Sequence, residues 1–128
     1  MKKLIAAFVL LTLVTMLVVA CGGSSTSSGG GGGGTVHMDE QHFLPPSVTI
    51  SKGSNLTLVD DTATVHIIAN GSWVNGNAQP MQENGAPVVN NLQFNGYDTH
   101  TIGPFNTAGT FHLYCIIHQN MNLTVAVQ

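Results

Sequence analysis

Short runs of alternating apolar and polar residues occupy most of the chain beyond residue 47. Val48 and Ile50 alternate with Thr49 and Ser51, and Gly53 follows as a turn. Leu56 and Leu58 alternate with Asn55 and Thr57. Residues 65–69 form a short apolar run rich in β-branched side chains. Phe111, Leu113 and Cys115 share one face of a segment whose other face carries His112 and Tyr114. Leu123, Val125 and Val127 repeat the pattern near the C-terminus. A period of two is that of a strand with one buried face. Such segments, separated by Gly, Pro, Asn and Asp, predict an all-β fold, a sandwich or barrel. Strand parity places Phe111, Leu113 and Cys115 inside and Tyr114 outside. Residues 71–97 are dense in Asn, Gly and Pro, with Trp73 standing alone, and predict a long loop with a helical turn or short strand near 88–94.

The N-terminal pattern is different. Lys2 and Lys3 precede an apolar run over 4–19, broken only by Thr12 and Thr15, and Val18-Val19-Ala20-Cys21 follows. A charged start, an apolar middle and a small residue at the end form the layout of a secretory signal. The run is shorter than the ~20 residues of a membrane span, although an uncleaved anchor is the alternative. The cysteine after Ala20 makes the stretch resemble a bacterial lipobox. That resemblance implies cleavage before Cys21 and lipidation of Cys21, so that acyl chains hold the protein on a membrane. Both alternatives place the remaining chain outside the cytoplasm. Residues 22–34 are Gly, Ser and one Thr, with nothing to bury, and predict a disordered tether of r.m.s. span ~20 Å. The expected organisation is a signal peptide over 1–20, a lipidated Cys and linker over 21–34, and one folded domain over 35–128.

Composition narrows the partners. Without residues 1–20 the formal charge falls from −3 to −5, with Lys52 the one remaining cation and no arginine in the chain. Nucleic acid is excluded as a partner, since it requires cations that displace phosphate counterions, and so is a polybasic membrane patch. Two cysteines are too few for a disulfide-built scaffold. A disulfide between Cys21 and Cys115 is open only if Cys21 carries no lipid.

Candidate chemistry is concentrated at Cys115-Ile116-Ile117-His118-Gln119-Asn120-Met121. A thiolate, an imidazole and a thioether within one loop form a donor set that suits the Cu(I)/Cu(II) couple. A strand ending at Cys115 and another starting after Met121 let that loop present three donors to one ion. The fourth comes from elsewhere, and His66, at the start of an apolar strand, is the natural candidate. Zinc accepts a Cys/His/His set, but a thioether is a poor zinc ligand. A nucleophile and base pair of Cys115 with His118 lacks an orienting acid or oxyanion motif. His37, His42, His100 and His112 are expected on the solvated surface, where His37 and His42 could share a secondary metal.

The segment from Gly109 through Cys115, His118 and Met121 to Val127 resembles the cupredoxins, the type 1 blue-copper proteins of the plastocyanin and amicyanin kind. Phe43-Leu44-Pro45-Pro46 with Val48, Ile50 and Gly53 looks like the opening strands of that family. The resemblance implies a cupredoxin-type Greek-key barrel holding one copper ion. His66, Cys115 and His118 would be equatorial ligands and Met121 a long axial one. It departs from the family at Val65 and Ile67, where Pro and Asn often flank the first His, and at Ile117, often Pro. Ile67 lacks the side-chain hydrogen bond by which that Asn ties the ligand loops together. Leu123 replaces a common Gly, a change with no physical account.

The function so implied is a membrane-anchored, extracytoplasmic one-electron carrier and not an enzyme. It would be a monomer that meets redox partners such as a cytochrome or a membrane oxidoreductase. Ile116, Ile117 and Pro45 would form an apolar docking rim around His118, and an outward Tyr114 an electron route beside Cys115. The alternative is a module that stores, delivers or senses copper without shuttling electrons.

Overall fold

The computed structural model describes residues 32–128. The predicted signal peptide, Cys21 and most of the glycine-rich tether therefore lie outside the described residues. Among the described residues every regular element is a β-strand: β1 (Gly34–Met38), β2 (Phe43–Leu44), β3 (Ser47–Ile50), β4 (Ser54–Asp60), β5 (His66–Val74), β6 (Asn77–Pro80), β7 (Leu92–Phe94), β8 (Thr99–Phe105), β9 (Gly109–Cys115) and β10 (Asn122–Val127).

One sheet has the order β2-β1-β4-β8 and the other β3-β10-β9-β5-β6, with β7 also on β5. Two pairings are parallel, β1 with β4 and β3 with β10. They arise because the chain alternates between sheets before it returns, as a Greek-key sandwich requires. The predicted alternation is the reason the sheets face each other. Leu56, Leu58, Phe111, Leu113, Cys115, Leu123, Val125 and Val127 all turn inward and are buried, and Phe94 and Phe105 belong to the same core. Inner faces of two twisted sheets interdigitate in this way.

Three expectations need correction. The first strand takes in Gly34, which pairs with Leu56, and the Gly32 carbonyl accepts a hydrogen bond from Ser51 N–H. A Cβ on Gly34 would lie 2.7 Å from Val48 Cγ2, and one on Gly33 would collide with the Asn55 carbonyl. Gly33 and Gly34 are thus tucked against the sandwich, where a side chain would crowd the Asn55 backbone and the Val48 and Ile50 side chains.

Residues 71–97 are not one long loop. β5 runs on to Val74 and folds back as β6 through Asn75-Gly76, both at positive φ (50° and 76°). Asn-Gly is the dipeptide that a two-residue hairpin turn favours. Its partner strand is exposed throughout and so lacks the apolar alternation that marks a strand. A short strand does form within 88–94, as β7.

Tyr114 does not point to solvent. It is 3% exposed, because Trp73 of β5 packs across it edge-to-face at a centroid distance of 6.0 Å. Strand parity sets the side of the sheet correctly but not whether that side is covered.

Candidate metal centre

β9 ends at Cys115, and the chain reverses before β10. Asn120 makes the reversal at φ 65°, a left-handed conformation that Asn tolerates better than most residues. The loop closes on itself, with Cys115 N–H donating to the Met121 carbonyl (3.1 Å) and Met121 N–H donating to the His118 carbonyl (3.2 Å). This fold brings Cys115 Sγ to 3.3 Å from His118 Nδ1.

His66 arrives from β5, the strand next to β9. The pairing of Ile68 with Cys115 sets the register, and Ile116 N–H donates to the Ile67 carbonyl at 2.9 Å. The tie between the ligand loops, which the Ile67 side chain cannot make, is made by the Ile67 backbone. The His66 and His118 rings meet edge-on, with centroids 4.9 Å apart and planes inclined by 66°. One donor atom from each of His66, Cys115 and His118 lies within 4.8 Å of the others, and among the described residues this is the one cluster of at least three such side chains. Met121 is buried at the far end of the loop.

The donor set fits a bound copper ion. His66 is fully buried, and among the described residues neither ring nitrogen meets a partner in full hydrogen-bond geometry. Buried polar atoms are rarely left so, and a metal would satisfy one of them. Burial pushes the His66 imidazole below the ordinary histidine pKa, opposed by the Asp60 carboxylate, reinforced by His118, and opposed more weakly by the backbone and carboxylate of Asp39. A neutral imidazole is the form that binds metal. One thiolate and two imidazoles, with a thioether in the same loop, favour copper over harder ions.

A second layer holds the ligand loop from outside. The indole Nε1–H of Trp73 donates to the Cys115 carbonyl at 2.8 Å. Asn122 grips the Trp73 backbone twice, accepting from its N–H at 2.7 Å and donating to its carbonyl at 3.0 Å. Gln119 Nε2 donates to the Gly76 carbonyl at 2.9 Å. The β5–β6 hairpin thereby clasps the loop. Asn122→Ala breaks both bonds and leaves the Trp73 groups unpaired in a half-buried setting. A stability loss of ~1–3 kcal/mol is expected, visible as a lower Tm of the copper-free protein. A loss below ~0.5 kcal/mol would show that the clasp contributes little.

The other histidines stay apart. His37 pairs with Asp61 (2.8 Å), His42 with Asp39 (3.1 Å) and His112 with Glu83 (2.6 Å), while His100 packs edge-on against Phe94. His37 and His42 thus bind different carboxylates.

No protein-family model matches the chain, and no curated protein matches it in sequence. Solved structures do match. Amicyanin from Paracoccus versutus superposes with a TM-score of 0.56 at 22% identity, over 73% of this chain and 79% of its own. A purple cupredoxin from Nitrosopumilus maritimus gives 0.58 at 19% identity, over 74% of this chain and 99% of its own. The fold is that of the cupredoxins. A copper-containing nitrite reductase from Thermus scotoductus also matches, with a TM-score of 0.54 at 16% identity, over 73% of this chain but 22% of the enzyme.

Within this cupredoxin fold the predicted residues divide into two groups. His66, Cys115 and His118 come together as a cluster, and Met121 closes their loop. Of the expected rim, Ile117 is 48% exposed and Ile116 half-buried beside His118, while Pro45 is exposed. Val65, next to His66, adds exposed apolar surface that the sequence pattern did not single out. The sequence pattern gave no role to Asp60 or Asn122, and it marked Trp73 only as a lone aromatic in a predicted loop. The Asn75-Gly76 turn, which extends β5 through Trp73, was the one signal that could have drawn attention to Trp73.

Proposed function

We propose that the protein is a mononuclear type 1 copper protein acting as a one-electron carrier, held outside the cytoplasm by a lipid on Cys21. The observation that carries this reading is the His66–Cys115–His118 cluster, with one imidazole buried and lacking a full hydrogen bond among the described residues and the other partly exposed. Copper bound there would supply reversible one-electron redox chemistry. His66 and Cys115 anchor the site from two hydrogen-bonded strands, and Met121 would be its axial donor. The cross-loop bond between Ile116 and Ile67 and the Trp73 clasp hold the donors in place, so that little rearrangement accompanies a change of charge.

His118 carries the site to the surface between the exposed side chain of Ile117 and the half-buried side chain of Ile116. An apolar rim of this kind suits the small, transient contacts of redox partners. The net negative charge would steer a partner with a basic face, such as a cytochrome. Tyr114 cannot serve as a surface electron port, because it is buried. A route along β9 would instead leave through Trp73, which touches both Tyr114 and the Cys115 carbonyl.

The test is the visible and EPR spectrum of the protein with one equivalent of Cu(II), before and after ascorbate. An intense thiolate-to-copper band with narrow copper hyperfine splitting, bleached and restored reversibly, is expected. No such band, or permanent loss of colour as Cys115 oxidises, would replace the carrier with a module that handles Cu(I).

A further inference from the structure

Asp60 is the last residue of β4, and its side chain is wholly buried. Its Oδ1 accepts hydrogen bonds from the Thr62 backbone N–H (3.0 Å) and hydroxyl (3.2 Å), which close a local turn. Its Oδ2 has no hydrogen-bond partner among the described residues. Across from it, His66 Nε2 lies 3.9 Å from Oδ1, and that ring is wholly buried too. Among the described residues His66 is the one ionic partner of this carboxylate, and the chain has no arginine to neutralise it.

A turn alone does not explain this arrangement. An Asn or Ser side chain would accept the same bonds from Thr62 without placing a carboxylate in the interior, where an unpaired charge is costly. The geometry also orients the ring. With Nε2 on the Asp60 side, Nδ1 is the nitrogen left for the cluster with Cys115 and His118. A histidine that ligates a metal through one nitrogen keeps a proton on the other, and a carboxylate behind it fixes the ring and makes it a stronger donor. At 3.9 Å the contact is longer than a hydrogen bond, so it acts through charge, in a medium that screens weakly.

We infer that Asp60 is a positioning residue for the metal centre, whose buried carboxylate behind His66 favours Cu(II) over Cu(I). The inference rests on the copper reading above. With the Cys115 thiolate, the centre is +1 when oxidised and neutral when reduced. A carboxylate behind His66 brings these totals to zero and −1, and the oxidised state gains. Asp60 thereby sets the class of partner, lowering the driving force for accepting an electron and raising it for giving one up.

The test compares the full protein with Asp60→Asn and Asp60→Ser, which both keep a turn acceptor and remove the carboxylate. The ratio of Cu(II) to Cu(I) affinity is measured by redox titration of the thiolate–copper band, with EPR to establish that the same centre is present. The ratio is expected to fall at least about tenfold, which for one electron is an upward shift in potential of about 59 mV. If Asp60→Asn does not fold, Asp60→Ser gives the reading. Thr62→Ala, which weakens the turn but keeps the carboxylate, is expected to leave the ratio within about threefold. A change of less than about threefold in the Asp60 variants overturns the inference, as does an equal change in Thr62→Ala, which would assign the effect to loop shape. A wild-type protein without the thiolate–copper band removes the copper reading itself and this inference with it, an outcome distinct from a normal band that ignores Asp60.

Discussion

Cys115→Ser is expected to abolish the visible thiolate–copper band entirely and to remove most of the stabilisation that copper confers on the fold. The substitution is conservative in shape. Serine fits the space of a buried cysteine, and its oxygen can keep the polar contact that Sγ makes with His118 Nδ1 at 3.3 Å. What it cannot provide is an ionised, soft, polarisable donor at neutral pH. A ligand that binds only the folded state stabilises it by RT ln(1 + [L]/Kd), about 4.1 kcal/mol when free metal exceeds Kd a thousandfold. For a domain of this size each kcal/mol moves Tm by roughly 4–8 °C. The wild type should therefore melt at least ~15 °C higher with copper than without. The variant should show a copper-dependent shift below ~5 °C, with a copper-free Tm close to that of the wild type. Calorimetry with and without one equivalent of metal separates these outcomes. An unchanged shift in Cys115→Ser would place the copper elsewhere, with the surface histidines as the first alternatives.

The parts of this centre were unequally visible in the amino-acid order. Cys115, His118 and Met121 belong to one loop between two strongly alternating strands, so local pattern and ligand chemistry agreed on them. His66 was legible for a related reason, as a lone polar residue opening an otherwise apolar run. Asp60 was not, because five residues lie between it and His66 and nothing local shows that the turn between them buries both side chains. Trp73 and Asn122 are 49 positions apart, and their pairing depends on a hairpin whose second strand is polar and exposed. Tyr114 shows the limit of parity, since alternation assigns a side of a sheet and cannot tell which elements later cover it. Gly34 shows the limit of composition. A run of glycines predicts a tether, yet its last members enter the sandwich where their lack of side chains permits close approach. The sandwich itself was legible because alternation in β3, β4, β9 and β10 specifies register and inner face together.

The metal site also depends on a short strand that looks dispensable. β7 has three residues and, among the described residues, pairs with β5 alone, its Phe94 lying opposite His66 in the register. Phe94 is fully buried and meets His100 edge-to-face at 4.6 Å. It therefore both fills part of the core and supports the strand that presents His66. Phe94→Ala is expected to destabilise the copper-free protein by ~3–5 kcal/mol, the usual cost of emptying a buried aromatic site. That is a large share of the ~5–15 kcal/mol by which domains are stable, and it predicts a fall in Tm of at least ~12 °C. Phe94→Leu refills most of the volume and should recover more than half of the loss, because core positions tolerate apolar exchange when volume is nearly kept. Near-UV circular dichroism and urea denaturation of the three proteins give the comparison. If Phe94→Ala cost less than ~1 kcal/mol, β7 would not be part of the core and His66 would have to be held by β9 alone. With the full loss, binding of copper should recover part of the stability in both variants, since the metal ties β5 to the Cys115 loop independently of β7.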